Sequence, residues 1–489
     1  MNKRNIAIIG AGYAGRDIAS EIQKKEFPGQ VIVFFDDDKN KIGAFYDNIP
    51  ILGPLSSLKS LIKRYNCDEA IIAMPTAEKS LIKQIYEDLK KSGIKIVRIV
   101  PALSQVLDGD AHLIQTREIT VQDLLGRKPV AISLKKSLEY LRGKRVLITG
   151  AGGSIGGELA RQLLHGGADR LYLFDHGENN VYEIDKELRL LQEEGIGEKA
   201  TIVPVIGELK DKDFTDFLIA RLKADIVFHC AAYKHVPMLE NNPVEAVKNN
   251  IFGTRNLLDA AIKNRVKRFV LISTDKAVNP TSTYGITKQV GENMVLTGGG
   301  GVTDCMVVRF GNVLDSRGSI VPLFRDQLMK GGPLTITHEK ATRFFMTIPE
   351  ASSLVLQAGG VGENGKLYIL DMGEPVAIKT LAEQMIRFYG YTPGKEIKLK
   401  YIGLRKGEKI EERLWLEEER VSPTEYPRIL CLNEIKSDSG KINDLLKRLG
   451  PICFLDPRDP EAFRNRLQLR RILHDYCPSL EVPPDEPQY

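Results

Sequence analysis

Five residues within fifteen positions could do chemistry together: Thr274, Asp275, Lys276, Tyr284 and Lys288. Tyr284 and Lys288 stand four apart, which places both on one face of a helix. A lysine cation beside a phenol lowers its pKa and makes it a usable base for a sugar hydroxyl. Y-x-x-x-K alone is weak, because 16 tyrosines produce it by chance. Asp275-Lys276 is the more distinctive pair. Once C4 of a hexose is a ketone, its C5 proton is acidic; a lysine can remove that proton while a protonated aspartate donates to the departing C6 hydroxyl. This chemistry expects a partly neutral Lys276, near Lys288 and a nicotinamide cation, and a raised pKa at Asp275. Neighbouring strand residues face opposite ways, so the strand must end before both can reach one ring, and Ala277 to Pro280 allows that. A solvated ion pair is the plain alternative.

The elements that must position these groups form an α/β pattern. Arg145–Thr149 reads as a strand, Gly150 to Gly157 as a glycine-rich turn and Glu158 to Leu164 as a helix, with further strands at 170–174, 201–205, 225–230 and 268–272. Thr149-Gly150-Ala-Gly-Gly153-Ser154-Ile155-Gly156 is T-G-x-x-G-x-x-G, whose helix N-terminus suits a dinucleotide diphosphate. Asp175, 19 residues after Gly156, can accept from an adenosine 2′-hydroxyl and repel a 2′-phosphate, which favours NAD; His176 beside it still admits NADP. Y-x-x-x-K about 130 residues downstream of such a turn is a strong signal.

An earlier unit has the same plan. Gly10-Ala-Gly12-Tyr-Ala-Gly15 follows the strand 5–9, and Asp36 lies 21 residues after Gly15. Gly10, Gly12, Gly15 and Asp36 are a candidate second nucleotide site, or the remnant of one, since nothing catalytic follows. Gly360-Val-Gly-Glu-Asn-Gly365-Lys366-Leu367 nearly spells a phosphate-binding loop. It lacks the Ser/Thr for Mg²⁺ and precedes a strand, so a surface turn is expected.

The chain has 489 residues, 43% apolar and 27% charged, enough for about three folding units with sizeable cores. A net charge of +5 gives no basic field for nucleic acid. No run approaches the roughly 18 apolar residues of a membrane span, and no signal peptide opens the chain. Six scattered cysteines, without C-x-x-C pairs or histidines at ligand spacing, read as free thiols in a cytoplasm, with no metal site.

Beyond these readings, the T-G-x-x-G-x-x-G spacing resembles that of the short-chain dehydrogenase/reductase superfamily. Residues 144–430 resemble the UDP-N-acetylglucosamine 4,6-dehydratases of the polysaccharide-biosynthesis (CapD-like) family. The matching stretches are Ala231-Ala232-Tyr-Lys234-His235-Val-Pro237, Ser273 to Lys288, Arg309-Phe-Gly-Asn312-Val, Ser316-Arg317-Gly318-Ser319, Thr342-Arg343-Phe-Phe-Met-Thr-Ile-Pro349 and Leu404-Arg405-Lys-Gly407-Glu408-Lys409. The resemblance implies two doubly wound, Rossmann-type parallel-sheet domains: 1–125, a linker at 126–143, and 144–430 as an extended dehydrogenase fold whose substrate lobe spans about 310–430. Residues 431–489 lie outside the resemblance and have no functional account; Pro478 to Tyr489 is expected to be an exposed, flexible tail.

The resemblance further implies an NAD held by Gly150, Gly153, Ser154, Ile155, Gly156, Asp175, Ala231, Ala232, Tyr284 and Lys288. Tyr284 would be the base at O4 with Thr274 beside it, Lys276 the C5 base and Asp275 the C6 acid. The UDP-sugar would meet Lys234, His235, Asn312, Arg317, Ser319, Arg343, Arg405 and Glu408; each arginine alone could equally be a structural ion pair. Longer members usually carry Met at the position of Tyr284, and Asp315, Glu208 and Lys406 depart from the family pattern, so retention or inversion at C5 stays open. A C4 epimerase and a non-catalytic nucleotide-sugar sensor are the alternatives. A homo-oligomer in the cytoplasm, near the inner face of the membrane, is expected. Longer relatives often carry a transmembrane bundle ahead of the first domain, whereas this chain starts at that domain's first strand.

Overall fold

The structure, a computed structural model, describes residues 4–24, 29–74, 77, 79–94, 96–99, 117–118, 138–197, 199–299, 301–389, 391–433 and 438–487. The expected linker therefore lies outside the described residues up to 137. Two compact units form. One gathers the described residues of Met1–Ala131, Leu323–Thr335 and Lys379–Lys400, and the other those of Ile132–Pro322, Ile336–Ile378 and Tyr401–Tyr489. Two segments of the expected substrate lobe, 323–335 and 379–400, thus group with the N-terminal unit.

In the first unit Ile6 to Ile9 are fully buried, as expected of a parallel strand covered on both faces. The sheet runs Phe45–Tyr46, Ile49–Leu52, Gly29–Phe35, Arg4–Ile9, Glu69–Ile72, Ile96–Ile99, Arg117–Glu118. All pairs are parallel except the outermost one at each end. The helix Tyr13–Lys24 follows the first strand.

The second unit is built on nine strands. Their order is Thr201–Ile206, Arg170–Asp175, Arg145–Thr149, Ile226–His229, Arg268–Thr274, Asp304–Phe310, Lys366–Leu370, Ile429–Leu432, Val421–Pro423, with the last two antiparallel. Neighbours in space reverse direction of addition between Arg145–Thr149 and Ile226–His229. That switch point leaves a crevice at the strands' carboxyl ends, where ligands bind in such sheets. The near phosphate-binding loop is the turn between the helix Ile348–Val361 and the strand Lys366–Leu370. No described helix is long and apolar enough to cross a membrane.

The C-terminal extension is part of this unit. Helices Ser439–Cys453 and Arg466–Tyr476 bury Leu445, Leu449, Ile452, Leu469 and Leu473 in its core. The tail expected to be exposed is so at Pro478, Glu481, Pro484, Asp485 and Pro487, but it is anchored at two points: Leu480 is 1% exposed, and the Glu486 carboxylate is buried against Arg466 and Arg470. Four prolines mark an irregular backbone, but one apolar and one charged anchor suffice to dock it.

Candidate active site

The glycine-rich turn begins where Arg145–Thr149 ends. Gly150 has φ +69°, and a Cβ on it would stand 2.8 Å from the Ala231 nitrogen, so only glycine lets the two strand ends approach. A Cβ on Gly156 would collide with the Gly150 carbonyl, which is how the helix Ser154–His165 starts so close to the strand. The Asp175 carboxylate ends the next strand and accepts the N–H groups of Gly152 (3.2 Å) and Gly177 (3.0 Å). His229 ties the crevice together, with Nδ1 2.7 Å from Thr149 Oγ1 and Nε2 2.9 Å from Thr254 Oγ1. Thr254 gives its own proton to the Asn250 carbonyl, so Nε2 donates and Nδ1 accepts. Burial, with Lys288 nearby, pushes the imidazole down to about 3, so it is neutral.

The strand Arg268–Thr274 stops where the chemistry requires. Asp275–Ala277 is a single 3₁₀ turn, capped by the Thr274 side chain on the Lys276 N–H. Both members of the pair can therefore point into one site. Lys276 Nζ lies 3.0 Å from Asp275 Oδ1, 3.0 Å from Asn312 Oδ1 and 3.8 Å from Glu412 Oε1. Asp275 is wholly buried; Oδ1 also accepts from Thr274 (2.9 Å), while Oδ2 is buried without a hydrogen bond. The helix Thr283–Gly298, capped by Ser282 on the Gly285 N–H, carries Tyr284 and Lys288. Gly285 backs onto the Lys276 carbonyl so closely that any Cβ would collide with it.

The electrostatics correct two expectations. Burial alone would lower Lys276, but the carboxylates of Asp275 and Glu412 hold its pKa above the ordinary lysine value, so the resting residue is a cation and not partly neutral. Tyr284 is pushed up to about 12 by burial; the cation that opposes this is Lys276, together with a Thr274 hydrogen bond, in place of the expected Lys288. Burial lowers Lys288 to about 8, and its ammonium donates to the Ile272 carbonyl at 2.7 Å.

Of the residues expected from sequence, Thr274, Asp275, Lys276, Tyr284 and Asn312 come together, and Lys234 is close enough for Lys276 to help burial lower its pKa. Burial, then Lys234, likewise lowers His235, whose ring lies against Gly318. The other candidates sit differently. Arg317 reaches the dinucleotide turn: its N–H donates to Ser154 Oγ (3.1 Å) and its guanidinium to Asn180 and Glu183 (2.9 Å each). Arg343 donates to the carbonyls of Thr342, Lys409 and Ile410. Arg405 and Glu408 pair with each other at 2.6 Å. Ser319 Oγ is buried without a partner. Sequence reasoning missed Glu412, whose side chain is 4% exposed and which faces both Lys276 and Lys409 (3.7 Å). Nothing in Glu408-Lys-Ile-Glu-Glu412 separates it from surface carboxylates.

In the N-terminal turn, Asp36 accepts the N–H groups of Ala11 and Asp38 at 2.8 Å each and pairs with Lys41 at 3.3 Å. Burial raises its pKa, but these donors outweigh it and hold the carboxyl below the usual value. A Cβ on Gly15 would collide with the Gly10 carbonyl, repeating the catalytic turn.

The profile of the polysaccharide biosynthesis protein family matches residues 146–434, and that of a CoA-binding domain matches residues 1–101. The chain is 39% identical to the probable polysaccharide biosynthesis protein EpsC of Bacillus subtilis over 424 residues, 86% of this chain and 70% of that protein. It is 33% identical to a UDP-N-acetylglucosamine 4,6-dehydratase (inverting) of Campylobacter jejuni over 275 residues, 55% of this chain and 77% of that one. It is also 32% identical to a UDP-glucose 4-epimerase of Rickettsia canadensis over 283 residues, again 55% and 77%. The X-ray structure of Pen from Bacillus thuringiensis superposes with a TM-score of 0.54 at 33% identity, covering 61% of this chain and 90% of that one.

Proposed function

Because this chain belongs to the polysaccharide biosynthesis protein family, we propose that it is a nucleotide-sugar 4,6-dehydratase that converts UDP-N-acetylglucosamine to a UDP-4-keto-6-deoxy-N-acetylhexosamine. One observation carries this reading. The Asp275–Lys276 pair, 3.0 Å apart, sits at a strand end beside Thr274 and Tyr284, with Asp275 Oδ2 buried and unbonded. C4 epimerisation needs no such acid and base at C5 and C6.

The crevice fits a nicotinamide dinucleotide: its turn excludes a Cβ at Gly150 and Gly156, and a buried carboxylate, Asp175, ends the second strand. Gly150, Gly153, Ser154, Ile155, Gly156, Asp175, Ala231, Ala232 and Lys288 would hold it, Asp175 favouring NAD. Such a cofactor supplies a hydride acceptor for C4 and a hydride donor for C6 within one turnover. Tyr284, as the phenolate that the Lys276 charge favours against burial, would take the O4 proton. Asp275 and Lys276 share one proton. A bound sugar that excludes water raises the penalty on their separated charges, and Arg343 also disfavours the Lys276 cation. Transfer from Nζ to the carboxylate then leaves an amine to take the C5 proton and an acid to protonate the leaving C6 hydroxyl. Asn312 keeps Nζ oriented from its other side. In the N-terminal unit, the turn and Asp36 have the features of a second nucleotide site.

NMR of the protein incubated with UDP-N-acetylglucosamine in D₂O tests this. A 4-keto-6-deoxy product deuterated at C5, formed without added NAD, is expected, and its C5 configuration reports retention or inversion. Lys276→Ala should slow both turnover and C5 exchange by roughly 10²–10⁴-fold. Unchanged sugar overturns the reading, and a C4 epimer that keeps its C6 hydroxyl establishes the epimerase alternative, which the Rickettsia relative favours.

A further inference from the structure

The family profile stops at residue 434, yet the chain beyond it reaches the catalytic helix. Arg470, on the helix Arg466–Tyr476, is 0% exposed, and all three of its nitrogens are engaged. Nε donates to Glu486 at 2.5 Å, Nη1 to Glu240 Oε2 and to Thr283 Oγ1 at 3.0 Å each, and Nη2 to the Glu240 carbonyl at 2.7 Å. Glu240 Oε1 in turn accepts the Thr283 N–H at 2.6 Å. Thr283 is the first residue of the catalytic helix, so this carboxylate satisfies an N–H that has no partner within the helix and places negative charge at its positive end. Arg466 joins Glu486 at 2.7 Å. Two further bonds tie the extension to the same helix and its entry loop: Asn293 to the Tyr476 hydroxyl (2.9 Å) and Ser479 to the Pro280 carbonyl (2.7 Å).

A fully buried arginine between two carboxylates carries a large desolvation penalty, and a packed apolar group would stabilise the fold as well or better. Its bond to Thr283, the residue before Tyr284, points to something besides stability. We propose that the C-terminal segment braces the catalytic helix, and that Arg470 is a positioning residue that holds Tyr284 against Thr274 through Glu240 and Thr283. The inference rests on the reading of Tyr284 as the base. The helix start is wedged: the brace grips Thr283 on one side, and Gly285 abuts the Lys276 carbonyl on the other. Displacing Thr283 therefore displaces Tyr284 relative to Thr274 and to Lys276, whose charge favours its phenolate. Lys406 extends the brace toward the Arg405–Glu408 loop, lying 3.9 Å from Glu240 and 3.7 Å from Glu486.

The test uses Thr283→Val, which removes only the hydroxyl contact, and Glu486→Gln, which loosens Arg470 from its far end. Tyr284 also faces Asp275 and Glu412 and shares its helix with Lys288; all are unchanged in both variants. For Thr283→Val, kcat should fall about tenfold, with the acid limb of its pH profile displaced upward by about one unit and KM for UDP-N-acetylglucosamine unchanged. Glu486→Gln should show a smaller change in the same direction. The resonance of Tyr284 in ζ-¹³C-tyrosine-labelled protein, assigned with Tyr284→Phe, should move in both variants at neutral pH. This last measurement needs no substrate, so it decides the brace even if the protein does not dehydrate UDP-N-acetylglucosamine. A lowered Tm with an unmoved Tyr284 resonance and an unmoved acid limb would reduce the network to a structural role and overturn the proposal.

Discussion

The two glycine-rich turns of this chain are built alike and lead to different things. In each, the last glycine, Gly15 or Gly156, allows the helix to start against the carbonyl of the first. In each, a carboxylate at the end of the second strand, Asp36 or Asp175, accepts an N–H from the turn, that of Ala11 or Gly152. The difference lies beyond the turns. Among its described residues the N-terminal unit buries one charged side chain, Glu69, and neutralises it with Arg98 at 2.6 Å and Arg4 at 3.7 Å. The catalytic unit buries Asp275, Lys288, Glu292, Arg309 and Glu412, and leaves an oxygen of Asp275 without a hydrogen bond. A turn of this kind supplies a cradle for a ligand. Reactivity comes from charged groups gathered at a neighbouring strand end with their hydrogen bonding left incomplete.

Paired substitutions in the turns should give the largest contrast. Gly156→Ala forces the helix off the strand and should lower turnover roughly 10²-fold through misplacement of the bound cofactor. Gly15→Ala introduces the same collision, yet it should lower the melting transition of the N-terminal unit and change steady-state turnover by less than about threefold. Equal losses of turnover would show that the two turns are not functionally distinct.

A smaller contrast should appear on acidification. The unfolded chain protonates His229 below about pH 6.5, but the folded protein does so only near 3. The catalytic unit therefore loses stability as pH falls through that interval, by up to about 5 kcal/mol, and His229→Gln should flatten the slope in denaturant titrations. Asp36 acts in a lower window. Its folded pKa lies below the ordinary 3.8, so its contribution is present above that value and is lost only as pH falls below it. The smallest effect concerns cofactor choice. Asp175→Asn removes the charge that repels a 2′-phosphate and should narrow the preference for NAD over NADP about tenfold in binding titrations; Asp36→Asn should leave that preference as it was.

Much of this was legible along the chain because it is local. Strand ends, glycine turns and the four-residue spacing of Tyr284 and Lys288 follow from backbone sterics and helical period. The strand leading to the Asp275-Lys276 pair was legible too, at 268–272, two residues short of its end at Thr274. The second carboxylate that supports the Lys276 cation beside Asp275 was not, because Glu412 lies 136 positions away and reaches it only in the folded unit. Arg317 and Arg343 carry the residue type expected of phosphate ligands. Whether their guanidinium groups are free or bound to Asn180, Glu183 and backbone carbonyls is a matter of packing.

The amino-acid sequence by itself determined the α/β class, the two glycine-rich turns and the candidate reacting groups, since each depends on neighbours within a few residues. Tertiary structure alone decided which charged groups lie against one another and what packs around them. Glu412 joins Asp275 in holding Lys276 as a cation, Lys276 in place of Lys288 opposes the burial of Tyr284, and Arg470 reaches across 230 positions to Glu240. Electrostatic energies depend on distance in space and on burial, and neither is a property of position along the chain.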